Sequence, residues 1–190
     1  MIQDLKPLRR IVTIDDQEGK SVAIADGPPP DVRIDPARPG FSSARIWVAD
    51  SSPVRISQYH DTTLAAHTIE PPHEGGHLRI VQSTGKPADY DRSKDPAYKP
   101  LGPTRLRPDG VWDRGGQNLF SSPVHKSATV DYGILLDGER TLLLDRGNVV
   151  LKPGDAVVQL GNWHGWANVN GGSLMAFVMM GATFDVEPKV

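Results

Sequence analysis

The sequence predicts an all-β protein, a sandwich or closed barrel rather than a helical bundle. Three observations predict it. Gly 19 and Pro 17 make up nearly a fifth of the 190 residues, against roughly 12% in average proteins, so turns are abundant. No segment keeps an apolar period of 3.6 residues without a Pro or Gly interruption. After Gly110 short extended runs recur at a spacing of about 8 to 12 residues between glycine turns, as in sandwiches and barrels.

Taken in order, Arg10 to Ile14 and Ser21 to Ala25 are β-type runs on either side of Asp15-Asp16-Gln17-Glu18-Gly19, which reads as a hairpin. Pro28-Pro29-Pro30 ends regular structure. Ala44 to Ala49, Leu64 to Ile69 and Leu78 to Gln82 read as strands, the last two split by Pro71-Pro72-His73-Glu74-Gly75-Gly76. Ser83 to Gly110 is polar and carries prolines at 87, 96, 100, 103 and 108. A stretch of that kind is either a functional loop or a linker, so it either divides an arm from the barrel or folds over the barrel mouth as a lid. Then come Thr129 to Leu136, Thr141 to Leu144, Asn148 to Leu151, Ala156 to Leu160 and Ser173 to Gly181. Asp137-Gly138 reads as a two-residue hairpin turn. Asp145-Arg146-Gly147, Pro153-Gly154-Asp155 and Gly161 to Gly165 are further turns. The expected organisation is one structural domain, with residues 1–110 as an N-terminal β arm and Pro-rich connection, and residues 111–190 as the barrel core.

Composition narrows the function classes. Hydrophobic residues are 38% and charged residues 23%, a soluble globular composition. A net charge of −2 leaves no footprint for nucleic acid or an anionic membrane. Without cysteine there are no disulfides or thiolate metal sites. No apolar run is long enough to span a bilayer. The opening MIQDLKPLRRIVTID has no apolar run of signal-peptide length, and the expected location is cytoplasmic. There is no P-loop, dinucleotide fingerprint or G-x-S-x-G elbow.

The stretch from Pro123 to Asn168 carries the chemistry. His125 is followed by Ser127, Asp131 and Gly138; Gly154 is followed by Gln159, Gly161, His164 and Asn168. This arrangement resembles the two motifs of the cupin superfamily, G-x5-H-x-H-x3,4-E-x6-G and G-x5-P-x-G-x2-H-x3-N, over about 60 to 70 residues. Ser127 stands where the second His would be and Asp131 where the Glu would be. Gln159 replaces the Pro, with the spacer one residue short. The resemblance implies a cupin (RmlC-like) jelly-roll barrel with an N-terminal β extension, and a homodimer. It also implies a single divalent metal (Fe, Mn, Ni or Zn) held by His125, Asp131 and His164.

Two imidazoles and a carboxylate with open positions suit a Lewis-acid or redox-active ion. A straight strand from His125 to Asp131 would span about 20 Å, so the chain must bend between them for both to share an ion. The alternatives are that His125 and His164 are hydrogen-bonded barrel histidines, and that Asp131 orients His125 without touching a metal. Ser127 is read as orienting water or substrate, with His164 as a metal-free acid–base alternative. Trp163, Trp166 and Phe120 are candidate walls for a ring-shaped ligand; packing between the sheets is the other reading for the tryptophans. Arg79 is a candidate anchor for a substrate carboxylate. The His73 to His77 stretch is read as a solvated loop.

The expected function is a small-molecule cupin enzyme acting on a small organic acid or an aromatic or polyketide-like intermediate. Lyase, decarboxylase, isomerase and dioxygenase chemistry are left open, because fold alone does not choose. A metal-free binding or sensing barrel is the second reading. A structural barrel with a filled interior is the third.

Overall fold

The computed structural model describes residues 5–36, 38–56 and 61–189. Strands β1 (Arg10–Asp15) and β2 (Ser21–Gly27) form the expected antiparallel hairpin, with a bulge between Val12 and Thr13. Its turn is built by Asp16, whose carboxylate accepts from the backbone N–H of Glu18 and Lys20 at 2.8 and 2.9 Å. Next come β3 (Asp31–Ile34), β4 (Ser42–Ala49) and β5 (Gly76–Ser83). The Pro-rich segment holds β6 (Leu101–Leu106), followed by β7 (Trp112–Gly115), β8 (His125–Lys126) and the long β9 (Thr129–Gly138). The chain ends with β10 (Arg140–Leu143), β11 (Val149–Leu151), β12 (Ala156–Leu160), β13 (Gly165–Ala167) and β14 (Ser173–Gly181).

Six strands form the main antiparallel sheet, in the order β12-β9-β14-β5-β4-β3. A second sheet is β11-β10-β13 and a third is β6-β7-β8. Three of the six main strands, β3, β4 and β5, come from residues 1–110, so both sides of residue 110 build one sheet. The only described helical pieces are single 3-10 turns at Thr62–Leu64 and Arg92–Lys94. No helix among the described residues is long and apolar enough to cross a membrane.

Strand alternation decides which side chains face inward. Along β9, Thr129, Asp131 and Leu135 are buried while Tyr132, Ile134 and Leu136 are exposed. On β14 Met175, Phe177 and Met179 are inward; on β5 His77, Arg79 and Val81 are. The apolar floor is Val81, Leu135, Leu142, Leu151, Trp166, Met175, Phe177 and Met179. Burying a side chain such as Leu135 in full is worth about 1.5 to 3 kcal/mol.

Two sequence expectations change. Asp137-Gly138 is not a hairpin turn: β9 pairs with β12 and β14, while β10 pairs with β11 and β13. Gly138 has φ +78, and a Cβ there would meet the Gly172 carbonyl oxygen at 2.0 Å. It is therefore a corner where the chain leaves one sheet for another, open only to glycine. Residues 64–69 form no strand. Arg45 donates to the carbonyls of Thr63, Ala65 and Ala66, and Arg79 to those of Thr68 and Ile69. Guanidinium groups thus take the backbone acceptors that a neighbouring strand would need.

Candidate active site

Between the sheets lies a cavity of about 530 Å³. The main sheet supplies Arg79, Val81, Asp131, Phe177 and Met179 to its wall; the second sheet supplies Arg140 and Trp166. His125 and His164 line it too, so the interior around His164 is open rather than filled. The Pro-rich segment lies over it, contributing Lys99, Arg105 and Arg107.

The chain does bend after His125. β8 belongs to the third sheet and β9 to the main one, so Ser127 and Ala128 carry the change of sheet. The bend brings His125 to His164 instead of to Asp131. The two histidines exchange backbone hydrogen bonds of 2.8 and 2.9 Å, and their ring centroids are 4.3 Å apart. Each ring donates from Nδ1 to a carbonyl, His125 to Pro123 at 2.9 Å and His164 to Asn162 at 3.0 Å. A carbonyl only accepts, so the proton sits on Nδ1 and Nε2 keeps its lone pair. Burial lowers both histidines; His164, with the added effect of His125, falls to about 3. The pair is neutral at pH 7.

The predicted three-residue metal centre does not assemble. Among the described residues no three His, Asp or Glu side chains converge as a metal-binding group. The pair offers two imidazole donors in the ligating tautomer, but Asp131 stands with another carboxyl. That carboxyl is Glu70, which the sequence did not single out. Burial, then the charge of Asp131, pushes Glu70 up to about 7, opposed by a hydrogen bond from the Ser127 hydroxyl. Burial pushes Asp131 up to about 6, opposed by Thr129 and Arg79. Asp131 Oδ1 is buried and without a hydrogen-bond partner among the described residues. Burial opposes the ionisation of both carboxyls, and for Glu70 the charge of Asp131 adds to it, so both hold their protons to higher pH than exposed carboxyls do.

Ser127 is buried at 3% exposure, hydrogen-bonded to Thr129 Oγ1 at 3.0 Å, and does not itself line the cavity. Arg79 is a cavity residue, but its Nη2 is committed to the Thr68 and Ile69 carbonyls, both at 2.8 Å, and its Nε to His77 at 3.1 Å. It thereby holds the segment that carries Glu70. Trp166 is a wall, packed edge-on against Phe177 at 5.4 Å and His164 at 6.2 Å. Trp163 and Phe120 are not part of the wall. Trp163 lies under Arg114 at 4.1 Å, and Phe120 packs on Tyr90 at 5.5 Å. His77 is a buried strand residue beside Met179 rather than a solvated one, and burial lowers it to about 3. His60 lies outside the described residues.

No family model matches the chain. Over 70 residues it is 37% identical to a cupin-domain-containing oxidoreductase of Hypocrea virens and 36% identical to another of Neurospora crassa. Those matches cover 36% of this chain and 36% of each relative. Over that stretch the chain is similar to cupin-domain proteins. A third relative is a phomopsin biosynthesis cluster protein of Diaporthe leptostromiformis, 46% identical over 55 residues, 28% of this chain and 27% of that one. Among solved structures, a polyketide cyclase of Streptomyces resistomycificus superposes with TM-score 0.42 at 14% identity, over 82% of this chain and 79% of that one. A putative ethanolamine utilization protein of Salmonella typhimurium gives 0.44 at 9% identity, over 94% and 99%.

Two site features escaped sequence reading. Glu70 precedes Pro71-Pro72 in what reads as a strand end, and nothing local marks it as inward. Arg140 opens an apolar strand, where a cation normally reads as a solvated end. Only the packing of a second sheet buries it.

Proposed function

We propose that this protein is a small-molecule enzyme that moves protons on a small organic acid or an aromatic or polyketide-like intermediate. The observation that carries the reading is the pair Glu70 and Asp131 in one cavity with two neutral histidines. A carboxyl poised near pH 7 can take a proton from a carbon beside a carbonyl and return it elsewhere. Glu70 is that group. Asp131 raises its basicity by like charge, and Ser127 holds the carboxylate in place. The Nε2 lone pairs of His125 and His164 accept a hydrogen bond from a substrate hydroxyl. Trp166 and Phe177 flank the ligand's apolar part, and the segment carrying Lys99, Arg105 and Arg107 limits water.

The test is deuterium incorporation, followed by NMR, into a panel of small aromatic and polyketide-like keto acids in heavy water. We expect exchange at the carbon next to the carbonyl, strongest near pH 6 to 7, the range of the carboxyl pair, and lost in Glu70→Gln. Exchange that survives in Glu70→Gln, or no exchange with any member, sinks the reading.

A second reading is an oxidoreductase with a divalent ion on the histidine pair. It is favoured by the two Nδ1–carbonyl hydrogen bonds and by the names of the fungal relatives. An ion there would supply Lewis-acid polarisation of a substrate oxygen. Metal analysis after growth with each candidate ion decides it. One equivalent of metal, lost in His125→Ala, supports this reading; substoichiometric metal under every supplement overturns it.

A further inference from the structure

We propose that the Arg140 end of the cavity is an anion subsite. It takes the carboxylate, or the equivalent enolate or phenolate oxygen, of a small unsaturated or aromatic ligand. For the identity of that ligand as a substrate, the inference rests on the enzyme reading above, which it deepens.

Arg140 opens β10 in the second sheet and is only 5% exposed. Its Nε and Nη1 are buried and have no hydrogen-bond partner among the described residues. Its guanidinium carbon lies 5.5 Å from the Trp166 ring and 5.9 Å from the Phe177 ring. Those ring faces attract the positive charge, but they accept no N–H in the plane of the fork. The neighbouring charge that acts on it is Arg38, of like sign. Arg38 lies over Phe41 at 4.2 Å, and its Nε donates to the Leu119 carbonyl at 3.4 Å. Asp35, which also lines the cavity, acts on Arg38.

A buried guanidinium ordinarily has its donors taken by carbonyls or a carboxylate. Here the residue borders a cavity, the charge of Arg38 acts on it, and the Trp166 and Phe177 rings lie beside it. A carboxylate completes that arrangement, since its oxygens accept the charge-assisted hydrogen bonds that Nε and Nη1 of Arg140 still have to offer. The aromatic flank of Trp166 and Phe177 selects the body of the ligand, an unsaturated or aromatic framework. Glu70 and Asp131, carboxyls in the wall of the same cavity, disfavour a second anion beside them. The ligand is thus oriented with its charged end at Arg140 and its other end towards the carboxyl pair.

Isothermal titration of the intact chain with benzoate and with its neutral analogue benzamide tests this directly, without turnover. We expect benzoate to bind at least tenfold more tightly than benzamide. Arg140→Met should lower benzoate affinity at least tenfold and leave benzamide unchanged, and Arg140→Lys should keep part of the preference. Equal affinity of the two ligands for the wild-type chain overturns the proposal. So does benzoate affinity unchanged in either variant. If Arg140→Met does not fold, the wild-type comparison and Arg140→Lys still decide. Benzoate held through Arg140 with no keto acid exchanging its proton would remove the enzyme reading and leave the subsite. Proton exchange with benzoate indifferent to Arg140 would remove the subsite alone.

Discussion

Arg79 and Arg140 line the same cavity at nearly the same burial, 6% and 5% exposed, from opposite sheets. Arg79 has its Nη2 on two backbone carbonyls and its Nε on His77. Arg140 has aromatic faces beside it and two buried nitrogens with no acceptor. Burial pulls both down, Arg79 to about 10 and Arg140 to about 9, and both stay charged at neutral pH. Residue type and burial are therefore poor guides to role. What separates scaffold from site is whether the hydrogen-bonding capacity is used up within the chain. The carboxylates divide the same way. Asp61 is tied to Arg10 and to Thr63, whereas Glu70 is raised by burial and by the charge of Asp131.

The sharpest way to break this comparison is to remove each arginine. Arg79→Met strands two carbonyls and frees the segment carrying Glu70, and should cost about 3 to 4 kcal/mol in urea denaturation. If Arg140→Met costs as much, the distinction fails. Leu135→Ala, which empties a fully buried position on the same sheet, should cost about 3 kcal/mol and gives a packing reference on the same scale.

The carboxylates sharpen the comparison through pH. The Arg10 hydrogen bonds hold Asp61 well below the usual carboxylate range. Its stabilisation is thus present above the unfolded value and lost as pH falls through about 4 and below. Asp61→Asn should cost about 2 kcal/mol at pH 7 and flatten that acid limb. Glu70 runs the other way. Its native value is raised from 4.5 to about 7, so the folded state binds the extra proton, and stability declines as pH rises across that interval. Glu70→Gln should remove the part of this decline that lies above the Asp131 range, seen as thermal midpoints that no longer fall between pH 6 and 7. A decline that persists would place the titrating group elsewhere. The smallest effect is expected for Arg140→Met itself. Replacing an unpartnered buried charge by an apolar chain of similar length should change stability by less than about 1 kcal/mol, in either direction.

Much of the fold was legible because strand period and turn chemistry are local. The hairpin at Asp16, the inward parity of Thr129, Asp131 and Leu135, and the strand ending at Gly181 all follow from residues within a few positions of each other. Leu64 to Ile69 misread as a strand because its carbonyls are taken by Arg45 and Arg79, whose side chains come from distant strands. Asp137-Gly138 misread as a hairpin because a corner between sheets uses the same left-handed glycine as a tight turn. The candidate site divided similarly. The motif drew attention to His125, Asp131 and His164, and all three line the cavity. Their grouping was not legible, because the change of sheet at Ser127 sends His125 to His164 and leaves Asp131 to Glu70.

By itself, then, the sequence determined an all-β barrel of cupin type, most of its strands, and the stretch from Pro123 to Asn168 as the wall of its pocket. Only the tertiary structure decided which charges meet. It set the charge of Asp131 against Glu70, committed Arg79 to backbone carbonyls and left Nε and Nη1 of Arg140 without an acceptor among the described residues. The physical reason is that burial and hydrogen-bond satisfaction depend on partners far apart in the chain, and no local period or turn signal carries that information.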